Sequence, residues 1–229
     1  MIENIEIEHR LLLKEASSNS FLGLKSLKIN QGYFNLKKVK VEIDEDKRLV
    51  IKSDKEIKKI TLSDNAYSRI LKMFVVDKNN TLSLSGENLS MRIRETIEGS
   101  VNSTYEITIK SKKSLMERYE EDIEIEKKDS VLLFEITKNS TINKERLIKP
   151  LENGLKAEID IFKGRNNGMI IVEIEVSTIN TPIPKLDESW VYVDVSTNPD
   201  FSNASLAFIP HRLMGDGRYN SDHSCTLLN

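Results

Sequence analysis

Several short segments of this chain carry two like charges spaced two residues apart, among them Glu6/Glu8, Arg92/Arg94, Lys144/Arg146, Glu158/Asp160 and Glu173/Glu175. Alternate side chains of a β-strand share a face, so each pair points one way while Ile7, Ile93, Ile159, Ile161 and Ile174 point the other. Paired carboxylates are hard oxygen donors of the kind that Mg2+ and Mn2+ take. Paired arginines and lysines suit a polyanion, the arginines as planar bidentate donors and the lysines as point charges. Strands closed into a barrel with these faces inward would gather both sets in one lumen. So many charges are costly to pack without water, ions or substrate among them. An open sheet with one solvated charged face satisfies the same periodicity.

The elements that must position these pairs are strands. Period-two runs recur at 5–10, 39–43, 48–52, 81–85, 90–94, 105–110, 142–146, 157–162, 172–176 and 191–195. Between many of them lie turn-forming stretches such as "DEDK", "KNN", "EGSVNS" and "KGRNNG", which suit antiparallel connections. Two helices are expected: one capped by Ser63 or Asp64 with Ile70, Leu71 and Phe74 on one face, and one in which Ser130 caps "VLLFEI". "NTPIP" reads as an extended surface connection, and the tail from 211 to 229 has no periodicity and reads as a loose cap or a partly disordered segment.

The 229 residues hold 34 basic and 36 acidic side chains, so net charge advertises neither a nucleic-acid nor a membrane partner, and any charge-based function lies in local arrangement. A single cysteine, Cys225, excludes an internal disulfide, and no apolar run is long enough to span a membrane, which together read as a cytoplasmic protein. There is no Gly-x-x-x-x-Gly-Lys loop and no Gly-x-Ser-x-Gly elbow. His9 falls on the face opposite the charges. His223 with Cys225 supplies two ligands where structural zinc takes four.

Taken in order, "EIEHRLLL" (6–13) resembles the Glu-x-Glu-x-Lys opening of the CYTH superfamily, the triphosphate tunnel metalloenzymes. "INQGYF" is similar to that family's Gln-Gly-Tyr-Leu segment, "MRIR" to its Arg-x-Arg strand, "ITIK" to its Thr-x-Lys strand and "RYEEDIEI" to its Arg-x-Glu-x-Glu-Ile pattern. "INKER", "AEIDIFKG", "VEIEV" and the stretch from Trp190 through "VDVSTNPDFSNASLA" continue the likeness, which lies nearest to small members that hydrolyse inorganic triphosphate. Arg10 stands where the family has lysine, Asp122 where the pattern has its second glutamate, and Asp194 in place of a late glutamate. Residues of about 35–87 intervene where compact members have a short connection. "KVKVEIDEDKRLVIK" inside that insertion imitates the basic hairpin, and the later pair is preferred because "RYEEDIEI" follows it directly.

The resemblance implies a mainly β, closed antiparallel eight-stranded tunnel barrel with a charged lumen and short flanking helices. One domain would span 1–210 with the insertion at 35–87, followed by a tail at 211–229. It implies Mg2+ or Mn2+ on Glu6, Glu8, Glu173 and Glu175, and phosphate contacts from Arg92, Arg94, Lys110, Arg118, Lys144 and Arg146. Glu120, Asp122, Glu158, Asp160 and Asp194 would support the basic groups. Glu6, Glu8, Arg10 and Tyr33 would form the catalytic set for metal-dependent hydrolysis of inorganic triphosphate or of a nucleotide or organic triphosphate. The alternatives are a class IV-type adenylate cyclase and a non-catalytic binder of a triphosphate or nucleotide. The expected partner is triphosphate or a nucleoside triphosphate, with nucleic acid only as a 5′-triphosphate end and a protein partner, if any, through the insertion. Arginine keeps its proton at any working pH, so Arg10 cannot replace lysine as a base, and Arg10→Lys is expected to raise a weak activity.

Overall fold

The structure, a computed structural model, describes residues 5–76, 82–84, 89–100, 102–112, 114, 116–211 and 225–228. The strands, in chain order, are β1 (Ile5–Ser17), β2 (Lys25–Tyr33), β3 (Lys40–Ile43), β4 (Arg48–Lys52), β5 (Ile57–Thr61), β6 (Val75–Val76), β7 (Leu82–Ser83), β8 (Leu89–Glu98), β9 (Asn102–Lys112) and β10 (Glu117–Ile125). They continue with β11 (Thr141–Pro150), β12 (Lys156–Lys163), β13 (Ile170–Glu175), β14 (Val191–Asp194) and β15 (Thr226–Leu228). Three α-helices accompany them: α1 (Asp64–Ile70), α2 (Lys127–Thr137) and α3 (Asn203–Phe208).

Eight strands close on themselves in the order β1-β10-β9-β8-β2-β11-β12-β13 and back to β1. Every step of this ring is antiparallel. Closure rests on β1, the longest strand, which pairs β10 through its first residues (Glu6 opposite Arg118) and β13 farther on (Glu8 opposite Glu175, Arg10 opposite Glu173). Its last third then leaves the ring to pair with β14 and, in parallel, with β15. The tail beyond 211 lies outside the described residues apart from 225–228, as does His223.

Alternation sets what faces where. Outward residues of β1, β12 and β13, namely Ile7, Leu11, Ile159, Val172 and Ile174, are buried beneath Trp190 and neighbouring connections. Outward residues of β8–β10, Met91, Ile93, Ile107, Ile109 and Ile123, share one core with α2 (Leu133), α1 (Ile70) and the second sheet (Val41, Leu49, Ile51, Ile60). That sheet, ordered β5-β4-β3-β7-β6, is built from residues within 35–87, and the hairpin β3–β4 is the segment that imitates the basic hairpin. Two ion pairs tie it and α1 to the barrel side, Arg69 with Glu121 at 2.6 Å and Lys58 with Asp129 at 2.6 Å.

Local chemistry explains the helix ends. Ser63 caps α1, accepting from the Ala66 N–H at 3.1 Å. Ser130 does not cap α2: the helix starts at Lys127 with Glu126 at its N-cap, and Ser130 turns its hydroxyl back to the Lys127 carbonyl at 2.8 Å. Gly32 on β2 sits under the end of α2, where a Cβ would lie 1.9 Å from Thr137 Oγ1. The glycine of "QGYF" is therefore a close-approach position for a helix, not a turn.

Candidate functional site

The inward faces meet in a cavity of about 680 Å3. Eight basic side chains line it (Arg10, Arg92, Arg94, Lys110, Lys112, Arg118, Arg146 and Lys156), together with seven acidic ones (Glu6, Glu8, Glu120, Asp122, Glu158, Glu173 and Glu175). Most of the carboxylates are paired with a cation of the barrel wall: Glu6 and Glu120 with Lys110, Glu8 with Arg118, and Glu158 and Glu173 with Arg146. Deeper along the same faces Leu12, Ile142, Phe162 and Ile171 pack with Phe201, Leu206 and Ala207, so apolar side chains from the segment around α3 fill that end of the barrel.

On the β1/β10/β9 side, Lys110 bridges Glu6 at 2.6 Å and Glu120 at 2.8 Å, and Arg118 meets Glu8 at 2.7 Å. Arg92 donates to Thr108 Oγ1 at 3.1 Å, and the Thr108 hydroxyl donates in turn to Asp122 Oδ1 at 2.6 Å. Arg94 pairs with Glu106 at 2.9 Å, and the Gln31 amide oxygen, turned toward it, accepts from Nε at 2.9 Å. On the opposite wall, Arg146 spans Asp160, Glu158 and Glu173, donating to Asp160 through Nε and Nη2 and to Glu173 at 2.6 Å. Asn203 of α3 also donates to Glu173, at 3.1 Å.

Burial and like-charge crowding act against one another here. Burial pushes the Glu6 carboxyl up, and Glu120 adds to this against Lys110. Burial, then Glu173 and Glu6, push Glu8 up, and burial with Glu158 and Glu6 raises Glu175. Glu173 moves the other way: burial opposes ionisation, but Lys144, Arg146 and Arg10 outweigh it and hold the group well below the usual carboxylate range.

The structure thus places Glu6, Glu8, Arg10, Tyr33, Arg92, Arg94, Lys110, Arg118, Glu120, Asp122, Arg146, Glu158, Glu173 and Glu175 around one cavity. Lys144 and Asp160 form a pair with no exposed side-chain surface, beneath the lining. Asp194 lies at the exposed end of β14. Lys112 and Lys156 line the site without having been singled out in the sequence, although each follows or precedes a charged residue by two positions. Ser196 and Asn203 sat unremarked inside the quoted late motif. His9 lies outside the cavity lining, as its parity requires.

No family model matches the chain. An inorganic triphosphatase from Acetivibrio thermocellus is 24% identical over 159 residues, covering 69% of this chain and 96% of the relative. That near end-to-end match joins the ordered motifs and the closed eight-stranded ring. In its ordered motifs and closed antiparallel ring the chain resembles the CYTH superfamily. Solved structures overlay this barrel loosely. The crystal structure of the inorganic triphosphatase NE1496 aligns at 18% identity and a TM-score of 0.47 over 91% of this chain and 96% of that one. A Hippeastrum adenylyl cyclase homologue reported to have a dominant triphosphatase activity aligns at 14% identity and 0.38 over 76% and 80%. No helix among the described residues is long and apolar enough to cross a membrane.

Proposed function

We propose that the barrel hydrolyses a triphosphate with the help of a divalent metal ion, inorganic triphosphate being the first candidate. The observation that carries this reading is the near-equal mixture of eight basic and seven acidic side chains facing one cavity. A site for a bare polyanion needs an excess of cations; a site for a metal–polyphosphate complex needs both signs, because the complex presents both. Each internal ion pair, such as Lys110–Glu6, Arg118–Glu8 and Arg146–Glu173, can then open, its cation turning to phosphate and its carboxylate to metal. The A. thermocellus relative's activity points the same way.

The donor chemistry fits Mg2+ or Mn2+. Glu8 on β1 stands opposite Glu175 on β13 and Arg10 opposite Glu173, and burial together with neighbouring carboxylates pushes Glu6, Glu8 and Glu175 up. Among the described residues no three metal-ligating groups already stand as a cluster, and Glu6, Glu8 and Glu173 are each engaged by a cation. Glu6, Glu8, Glu173 and Glu175 are the residues that would hold the ion, which supplies charge neutralisation at phosphoryl oxygens and a more acidic water. Arg92, Arg94, Lys110, Arg118 and Arg146 bind and orient the phosphate chain, while Glu120, Asp122 and Glu158 hold these cations in place. Arg10 favours a second reading, a binder with little turnover, because a guanidinium cannot accept the proton of an attacking water.

Phosphate and cyclic nucleotide release from triphosphate, ATP and thiamine triphosphate, with Mg2+ or Mn2+ and with chelator, tests the proposal. Metal-dependent phosphate release is the expected result. Cyclic AMP would reassign the barrel as a cyclase, and tight binding without product would make it a binder.

A further inference from the structure

Arg10 is only 2% exposed, and one side of its guanidinium is pinned. Its backbone N–H donates to Ser196 Oγ at 3.0 Å, and its Nη2 donates to the Ser196 carbonyl at 2.8 Å. Ser196 is fixed in turn by Asp194, whose Oδ1 accepts from the Ser196 N–H at 2.8 Å and from its hydroxyl at 2.5 Å. The rest of the guanidinium has no such partner. Nε and Nη1 are buried and make no hydrogen bond, with Glu8 Oε1 standing 3.6 Å from Nε. Arg10 borders the cavity in company with Tyr33, Glu173, Thr197 and Asn203. Buried N–H groups left without acceptors are costly, and a ligand oxygen entering this part of the cavity would supply the missing acceptor.

We propose that Asp194 and Ser196 form a bracket that holds Arg10 as a fixed donor to a terminal phosphoryl oxygen, which makes both of them positioning residues. The inference rests on the triphosphate reading above. It gives position 10 a task that lysine performs poorly: a single ammonium must serve the Ser196 carbonyl and the ligand from one point, whereas the guanidinium reaches them with nitrogens set apart in a rigid plane. Arg10→Lys therefore costs affinity, whatever it does to the rate. The bracket also explains how an acidic residue at the exposed end of β14 can influence a buried site, through one serine and without touching the ligand.

Calorimetric titration of the full chain with inorganic triphosphate and Mg2+, alongside thermal melts, tests the bracket. Asp194→Ala should weaken binding about ten-fold, the scale of one charge-assisted hydrogen bond, with little change in melting. Asp194→Asn keeps the Oδ1 acceptor and should recover most of the affinity, which a merely electrostatic role for Asp194 would not allow. Arg10→Lys should weaken binding at least as much as Asp194→Ala, and it reads the same contact should Asp194→Ala not fold. If wild type binds while Asp194→Ala binds equally well, or Asp194→Asn is as weak as Asp194→Ala, the bracket is wrong and the triphosphate reading stands. If wild type binds no triphosphate, both fall.

Discussion

Replacing Arg146 by methionine should destabilise the ligand-free barrel strongly at neutral pH and weakly in acid. Arg146 donates to Asp160 through two nitrogens at 2.6 Å each, to Glu173 at 2.6 Å and to Glu158, all with little or no exposed surface. Methionine fills comparable space and removes only the cation. Three carboxylates lose a partner, yet each keeps one: Asp160 keeps Lys144, Glu158 keeps Lys156 and Glu173 keeps Asn203. The loss should therefore match one broken buried pair, about 3–5 kcal/mol, and not three. At roughly 2–4 °C per kcal/mol for a chain of this size, melting should fall by roughly 6–20 °C. The pH dependence follows from the two glutamates. For Glu173 burial opposes ionisation but Lys144 and Arg146 outweigh it; for Glu158 burial is outweighed by Arg146 and Lys156, so both ionise more readily folded than unfolded. Such groups lend stability above their unfolded value of 4.5 and lose it as pH falls through the folded one. Without Arg146 the folded values climb, so the variant's deficit should be full at pH 7.5 and shrink below about pH 4.5. Urea unfolding of both proteins at pH 7.5, 5.5 and 4 measures this. A deficit under about 1 kcal/mol at pH 7.5, the scale of an exposed pair, or one constant across the range, would refute the reasoning.

Three further outcomes are expected. Glu8→Gln should raise the ligand-free melting temperature at pH 7.5, because burial, Glu173 and Glu6 make the folded protein hold the Glu8 proton more tightly than the unfolded chain does, so keeping it ionised costs stability. The same variant should lose metal-dependent phosphate release, measured in parallel. Gly32→Ala should destabilise by about 2–3 kcal/mol in denaturant unfolding, since its Cβ would overlap Thr137 on α2, and an unchanged midpoint would contradict the packing. Excising the insertion should yield aggregated protein on gel filtration, because Met91, Ile93, Ile107, Ile109 and Leu133 share their core with it; a monomeric soluble barrel would show that this core is dispensable.

The barrel wall was legible because period two is a strong constraint: once Glu6 and Glu8 face inward, Ile7 must face out, and closure needs every strand to obey the same parity. Periodicity reports the face and says nothing of depth. Lys144 and Arg146 are therefore indistinguishable in sequence, although one is sealed against Asp160 and the other lines the cavity. The hairpin β3–β4 carries the same alternation as β8–β9, and only its position in the second sheet separates them. Ser130 looked like a cap because capping residues also occur within helices, where the hydroxyl bonds back to the preceding turn. Ser196 had no sequence signal of its own, since its role comes from a contact 186 positions away in the chain.

The mixed-charge cavity is proposed to hold a metal–triphosphate complex. Isothermal titration of the full-length chain with inorganic triphosphate, with and without Mg2+, at two salt concentrations tests it most directly. One site per chain is expected, tighter with Mg2+ than without, and weakened by Glu6→Gln through the metal and by Arg94→Ala through the phosphate. No binding at millimolar triphosphate in either condition, or binding indifferent to both substitutions, would contradict it.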